Sequence, residues 1–185
     1  VENVSLMPVG DPADEGTVFG PLANHKQQAS VKGYIAKGLE EGATLAYGGG
    51  EVEGLPAEVA DGAFVQPTVF RDVDNSMTIA QEEIFGPVIQ VIPYETVDEA
   101  VQIANDSEFG LAGAVYSADP DAALAVAQRV RTGTMGINWY AFDPTAPFGG
   151  FKNSGIGREN GPEGLDAYCE LQSVLMPFGW EPSEG

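Results

Sequence analysis

The chain has 185 residues, and its 43% hydrophobic and 19% charged content is typical of a folded protein, which argues against disorder. Its formal net charge of -20 argues against nucleic acid and anionic membranes as partners, because an acidic surface repels phosphate. The single cysteine, Cys169, excludes an intrachain disulfide. With no signal peptide and no membrane-length apolar run visible, we expect a cytoplasmic protein. Val1 in place of a starting Met suggests truncation or processing.

The first half of the sequence predicts a loop, one long helix and several short strands. Residues 1–22 are rich in Gly, Pro and Asp, which is typical of a connecting loop. A helix should follow over residues 23–41, because Val31, Ile35 and Leu39 recur every four residues on one face. The strand candidates in this half are residues 43–47, 64–65 and 68–70.

The second half alternates strands with helices. Thr96 and Glu99 form a capping box that opens one helix, and Asp119 followed by Pro120 opens another. This order favours parallel strands joined by crossover helices, which is an α/β fold. The predicted elements are strands 88–94, 111–117 and 133–138, helices 96–105 and 120–131, a helical turn at 165–168 and a last strand at 170–176.

One unusual segment covers residues 78–88. It places Glu82 and Glu83 side by side, with Phe85 just ahead of a buried strand. A carboxylate there could accept hydrogen bonds from a diol such as ribose, while the Phe ring packs on a flat ring of a ligand. The alternative is a solvated helix end with no ligand.

A second unusual segment, residues 147–159, is dense in glycine, which lets a backbone approach a ligand or another backbone closely. A tight surface turn with an aromatic anchor is the alternative. His25 is the only histidine and is interpreted as a surface residue, so no His-rich metal site is expected. Cys169 has no basic neighbour in the sequence and is interpreted as an inert thiol.

Together these segments resemble the C-terminal part of the catalytic domain of the NAD(P)-dependent aldehyde dehydrogenase superfamily. The runs that carry the resemblance are Phe-Gly-Pro-Leu at 19–22, Glu-Gly-Ala at 41–43, Gly-Ala-Phe-Val-Gln-Pro-Thr-Val at 62–69, Glu-Ile-Phe-Gly-Pro at 83–87, Asn-Asp-Ser-Glu-Phe-Gly-Leu-Ala at 105–112, Gly-Thr-Met-Gly-Ile-Asn at 133–138 and Pro-Phe-Gly-Gly at 147–150. They occur in the family's order over roughly residues 10–176. The Glu-Ile-Phe-Gly-Pro and Pro-Phe-Gly-Gly runs are the most specific.

The resemblance implies a fold and a domain organisation. The fold would be α/β with a mainly parallel sheet and crossover helices. Residues 1–168 would form the C-terminal portion of the catalytic domain. Residues 169–185 would carry an oligomerisation strand and tail, in which the strand extends the sheet of a neighbouring subunit. A homo-oligomer is therefore expected.

The resemblance also implies roles for particular side chains. Glu83 would bind the hydroxyls of the nicotinamide ribose of NAD or NADP, and Phe85 would pack near the nicotinamide. Phe148 would line the tunnel for the aldehyde substrate, and Tyr140 and Phe142 are further tunnel candidates. These aromatic side chains favour an apolar or aromatic aldehyde over a charged one.

The implied reaction is oxidation of an aldehyde to a carboxylic acid with reduction of NAD(P). It needs a thiolate that attacks the aldehyde and a base that activates water. In the family, both the Cys and the base Glu lie upstream of the matched segments, and Cys169 does not correspond to the nucleophile. Glu159 matches a position implicated in ordering active-site water. The isolated chain is therefore predicted to be inactive without the missing N-terminal part; the alternative is a non-catalytic binding or assembly module that retains the fold.

Overall fold

The computed structural model describes residues 1–181. Contacts within the chain divide it into two units, Val1–Ser107 and Glu108–Gly185, and each unit has a β-sheet of its own. No helix in the described part is long and apolar enough to cross a membrane. The last four residues of the predicted tail, 182–185, lie outside the described residues.

The first unit contains four helices and a three-stranded sheet. In chain order its elements are α1 (Glu2–Ser5), α2 (His25–Glu40), β1 (Thr44–Tyr47), β2 (Thr68–Arg71), α3 (Thr78–Gln81), β3 (Val88–Gln90) and α4 (Val97–Asn105). The strand order is β1-β2-β3, with β1 antiparallel to β2 and β2 parallel to β3. Two local predictions are wrong: α1 interrupts the predicted loop over residues 1–22, and residues 64–65 form no strand.

The core of the first unit lies where α2, β2 and α3 meet. Val31 of α2, Phe70 of β2 and Ile79 of α3 are fully buried there. The prediction that Leu39 lies on the buried face of α2 is wrong. Leu39 is 49% exposed, and Gly38 is buried instead. A four-residue step overshoots one helical turn by about 40°, so two such steps carry Leu39 away from Val31, whereas a seven-residue step returns to the same face. A Cβ at Gly38 would lie 2.9 Å from Ile79 Cδ1, so only glycine fits without a shift.

The second unit is built around one strand–helix–strand motif. It consists of β4 (Ala112–Val115), α5 (Pro120–Ala127) and β5 (Thr134–Ile137), with 3-10 turns at Lys152–Ser154 and Pro162–Tyr168. β4 and β5 pair in parallel, from Ala112 opposite Thr134 to Val115 opposite Ile137. The parallel pairing of β4 with β5 confirms the predicted α/β class. Strand β3 belongs to the other sheet, where it pairs with β2. The helix α5 ends at Ala127, earlier than the predicted residue 131.

The residues that open the helices behave as their types predict. Thr96 accepts a hydrogen bond from the Glu99 N–H at 3.1 Å, as a capping box requires. A capping box predicts that the Glu99 carboxylate accepts from the Thr96 N–H. Here it accepts instead from the N–H of the preceding residue, Glu95, at 2.7 Å. At α5, Asp119 accepts from the N–H groups of the second and third helical residues. Local capping therefore fixes where α4 and α5 begin.

The predicted last strand, residues 170–176, forms no strand within this chain. The whole segment is exposed, and Leu171 is fully accessible to solvent. A strand needs a hydrogen-bonding partner, and no strand of the described chain lies beside this one. The role of residues 169–185 in contact between subunits, like the division at residue 168, stays a prediction.

Candidate functional site

The first candidate region is the Glu83 segment, residues 82–86, which joins α3 to β3. Ile84 is buried in the core, while Glu83 and Phe85 on either side of it are exposed. The buried side chain therefore anchors the segment, and the two predicted cofactor residues project from it. Phe85 is 69% exposed and has a φ of 53°, a left-handed conformation that non-glycine residues rarely adopt.

The turn after Phe85 packs directly against helix α2. A Cβ at Gly86 would lie 2.6 Å from Cγ2 of Val31, so a larger residue there would push the segment off the helix. From the same helix, the Gln27 side-chain amide donates to the carbonyl oxygens of Ile84 and Phe85, at 3.1 Å each. These contacts hold the unusual backbone of Phe85 in place.

The two adjacent carboxylates of the segment have different surroundings. Glu82 accepts a hydrogen bond from the Tyr34 hydroxyl at 2.8 Å. This bond raises the pKa of the Tyr34 phenol, and partial burial and the Glu82 charge act in the same direction. Among residues 1–181, no hydrogen bond or ion pair involves Glu83. Its carboxylate is therefore available to accept hydrogen bonds from an external donor.

The second candidate region brings three predicted site residues together. Phe148 and Glu159 pair as an antiparallel bridge, in which each backbone N–H donates to the other's carbonyl oxygen at 2.7 Å. The Phe142 ring meets the Phe148 ring edge-to-face, with centroids 5.5 Å apart and planes at 78°. We call Phe142, Phe148 and Glu159 the aromatic cluster. Tyr140 is also exposed but makes no ring contact with the cluster in the described part of the chain.

A cavity of about 650 Å³ opens beside the aromatic cluster, within the range of small-molecule sites. Phe148 and Glu159 line it, whereas Tyr140 and Phe142 do not. The further lining includes Leu111, Ile156, Arg158 and Tyr168.

Side-chain contacts of Arg158 and Asp143 hold two loops of this region. The Arg158 guanidinium donates to the carbonyl oxygens of Gly150, at 3.1 Å, and Gly157, at 2.7 Å, and stacks over the Phe151 ring at 5.4 Å. In the loop between the predicted tunnel residues, Asp143 accepts hydrogen bonds from the Thr145 hydroxyl and N–H, which lower the pKa of its carboxyl.

The single histidine and the single cysteine both lie at exposed positions. His25 is exposed on the first turn of α2, and its Nδ1 lies 3.1 Å from the Gln28 side-chain oxygen. Cys169 is exposed. Within residues 1–181, no group of three or more His, Cys, Asp or Glu side chains could hold a metal ion. Sequence reasoning missed Gln27 and Tyr34, although their seven-residue spacing places them on one face of α2.

A family model described as the aldehyde dehydrogenase family matches residues 1–174. The chain belongs to the aldehyde dehydrogenase family. A geranial dehydrogenase of Castellaniella defragrans is 53% identical over 173 residues, which are 94% of this chain and 35% of that protein. The chain thus spans just over a third of the length of the curated relatives that it matches.

Solved aldehyde dehydrogenases have a backbone similar to that of this chain over the part that matches. The Mycobacterium tuberculosis enzyme, complexed with NAD⁺, is 57% identical with a TM-score of 0.90, over 98% of this chain and 37% of that one. A Pseudomonas syringae aldehyde dehydrogenase C mutant, complexed with NAD⁺ and octanal, is 44% identical with a TM-score of 0.88, over 99% of this chain and 36% of that one.

Proposed function

We propose that this chain is the C-terminal part of an NAD(P)-dependent aldehyde dehydrogenase that oxidises an aldehyde to a carboxylic acid. The observation that carries the proposal is the Glu83 segment, in which an unpaired carboxylate and an exposed aromatic ring flank the buried Ile84. Membership of the aldehyde dehydrogenase family supports the same reaction class. When bound, NAD or NADP would take up hydride from the aldehyde carbon.

The residues of the Glu83 segment fit a dinucleotide. The Glu83 carboxylate has oxygens enough to accept a hydrogen bond from each hydroxyl of a ribose diol. The exposed Phe85 ring offers a flat apolar surface to a nicotinamide. Support comes from the similar Mycobacterium tuberculosis enzyme, whose structure contains NAD⁺.

The aromatic cluster fits an aldehyde without charge. Phe148 lines the cavity in the second unit, and the Phe142 ring meets the Phe148 ring edge-to-face. Tyr140 would add a third ring to the tunnel. Glu159, exposed on the bridge to Phe148, could accept a hydrogen bond from the water that ends the reaction. Geranial and octanal, named for two similar proteins, are apolar aldehydes and support this substrate class.

The remaining parts of the reaction belong outside this chain. Exposed Cys169 does not correspond to the nucleophile of the family, so the thiol and the general base would come from an upstream part. We therefore propose that the isolated chain is inactive, that it works with this part in one enzyme, and that residues 170–176 join subunits into a homo-oligomer. The single cysteine is in keeping with a cytoplasmic enzyme.

A chimeric enzyme tests the proposal. The matching C-terminal segment of the Mycobacterium tuberculosis aldehyde dehydrogenase is replaced by residues 1–185. Oxidation of octanal, once its turnover by the unaltered parent enzyme has been verified, is followed through NADH and NADPH formation. The high identity and the shared backbone predict a folded, active chimera. The isolated chain, assayed in parallel, should show no turnover with either cofactor.

Within the chimera, Glu83→Gln tests the cofactor role. The amide has one acceptor oxygen and no charge, so KM for NAD should rise about tenfold or more. Glu58→Gln is the matched control, since it makes the same charge change at an exposed position of the first unit. Unchanged cofactor affinity and unchanged rate in Glu83→Gln would refute the role.

The alternative function has its own signature in this experiment. A chimera that folds and assembles like the parent enzyme, yet oxidises no aldehyde, would favour a non-catalytic binding or assembly module. Turnover by the isolated chain would refute the proposed division of the active site between this chain and an upstream part.

A further inference from the structure

Helix α2 presents a row of polar side chains at every seventh residue. The row consists of Gln27, Tyr34 and Glu41, the last being the C-cap of the helix. Seven residues make nearly two helical turns, so these side chains lie on one face of the helix. Successive members are about 10 Å apart along the helix axis. We call them the α2 row.

The α2 row meets residues 78–85 at three points. Gln27 donates to the carbonyl oxygens of Ile84 and Phe85, and Tyr34 donates to Glu82. Glu41 accepts from the Thr78 N–H at 2.8 Å and from the Thr78 hydroxyl at 2.6 Å. The N-terminal end of α2 therefore holds residues 84 and 85, and its C-terminal end holds residue 78.

The Glu41 contact replaces a cap that α3 does not supply for itself. The N-cap of α3 is Met77, whose side chain makes no cap hydrogen bond with the first turn. Glu41 satisfies the Thr78 N–H instead, from a distance of 37 residues along the chain. Because α3 has only four residues, its orientation sets the direction in which Glu82 and Glu83 leave it.

The Tyr34 contact separates the roles of the two neighbouring carboxylates. By holding Glu82 at 2.8 Å, Tyr34 fixes one side chain of the pair on α2. Buried Ile84 and the close approach of Gly86 to Val31 complete the attachment. Glu83 and Phe85 are the residues of this stretch that remain exposed without a side-chain hydrogen bond to α2.

We propose that Tyr34 and Glu41 are positioning residues for the cofactor site: they hold the segment so that Glu83 and Phe85 are already in place before the cofactor binds. This inference rests on the proposed function, because it assumes that Glu83 and Phe85 meet NAD(P). A preorganised site loses less conformational freedom on binding, so loss of either contact weakens cofactor binding.

The test uses the active chimera with Tyr34→Phe, which removes the bond to Glu82, and Glu41→Gln, which replaces one of the two acceptor oxygens with an amide donor; both changes nearly preserve shape. KM for NAD should rise roughly threefold to tenfold in each variant, the effect of one or two hydrogen bonds. KM for octanal should stay unchanged, which a general loss of structure would not produce. Matched controls are Tyr94→Phe and Glu40→Gln, both at exposed positions of the first unit.

A double-mutant cycle shows whether Tyr34 acts through Glu82. Tyr34→Phe combined with Glu82→Met should raise KM for NAD no more than the larger single change, because either change alone removes the same bond. Fully additive effects would overturn the proposed route. So would single variants that shift both KM values equally, or that leave KM for NAD unchanged.

The outcomes separate this inference from the proposed function. If Glu83→Gln raises KM for NAD while Tyr34→Phe and Glu41→Gln behave as their controls do, the α2 row plays no positioning role and the cofactor role of Glu83 stands. If Glu83→Gln also leaves cofactor binding unchanged, the proposed function fails first.

Discussion

The two units of this chain differ most in how they bury apolar side chains. The first unit has a continuous core of eight buried residues drawn from α2, β2, α3 and the adjoining loops. In the described part of the second unit, the only buried hydrophobic side chain is Ala123 of α5. Large apolar residues such as Trp139, Phe142 and Tyr168 are exposed there instead. The second unit is therefore shaped by backbone pairing and turns more than by a core of its own.

This difference agrees with the short length of the chain relative to its family. Apolar surface is normally buried because its exposure to water is unfavourable, by about 25 cal/mol per Å². The chain matches only about 36% of the length of a similar aldehyde dehydrogenase. The remaining part of such an enzyme is not among the residues that could cover the second unit here. The first unit thus carries its own stabilising core, whereas the second exposes apolar surface that, as we propose, the rest of the enzyme and neighbouring subunits cover.

The largest expected effect comes from emptying the core of the first unit. Phe70→Ala should lower the free energy of unfolding of that unit by about 3–5 kcal/mol, because Phe70 is fully buried and its removal leaves a cavity. Phe142→Ala, in the second unit, should cost only about 0.5–1.5 kcal/mol, the value of an edge-to-face ring pair. Urea titrations of the 185-residue chain measure both.

Two spectroscopic signals can follow the units separately. Trp139 and Trp180, the only tryptophans, both belong to the second unit, so their fluorescence reports on that unit. Far-UV circular dichroism is weighted toward the first unit, because it holds the long helix α2. If Phe70→Ala shifts both transitions equally, the units unfold together and the first unit is not stabilised independently of the second.

A second, intermediate effect concerns the exposed tail of the second unit. Replacing Leu171 with Asp should weaken self-association of the chain about tenfold or more, because this side chain is fully accessible and available to a second copy. Leu6→Asp, at an exposed site of the first unit, is the control. Sedimentation velocity over a range of concentrations gives the measurement. Equal effects of the two changes would contradict a special role of the tail.

The smallest expected effect is a pH dependence within the first unit. The Thr78 hydroxyl lowers the pKa of the Glu41 carboxyl, the Thr78 N–H and the Lys37 ammonium assist it, and burial opposes it. A carboxyl whose folded pKa is depressed contributes stability above its unfolded pKa, here near 4.5, and loses that contribution as the pH falls through its folded pKa.

Thermal unfolding of the chain and of Glu41→Gln checks the sign. The unaltered chain should melt higher at about pH 7, and the difference should shrink progressively as the pH falls below the unfolded pKa of the carboxyl and through its lower folded pKa. Glu40→Gln removes the carboxylate charge that pairs with Lys37, and it controls for the change in net charge. A difference that grows on acidification would contradict the assignment to Glu41.

Much of the local structure could be predicted from the sequence because it depends on neighbouring residues. The start of α4 follows from Thr96 and the start of α5 from Asp119, since each cap bonds to N–H groups two or three residues away. Family motifs also selected Glu83 and Phe148 as candidate site residues; their roles in binding stay predictions. Leu39 shows the limit of pattern reading, because repeated four-residue steps drift around the helix.

The sequence by itself determined the α/β class, the starts of α4 and α5 and the family, because these depend on residue types at short and regular spacing. Only the tertiary structure decided how Phe148 pairs with Glu159, how Phe85 comes to have a left-handed backbone, and how the α2 row holds Glu82 and Thr78. Those contacts join residues that lie up to 58 positions apart, and no local preference specifies them. Within the first unit, the contacts form because burying α2, β2 and α3 together brings the segments side by side.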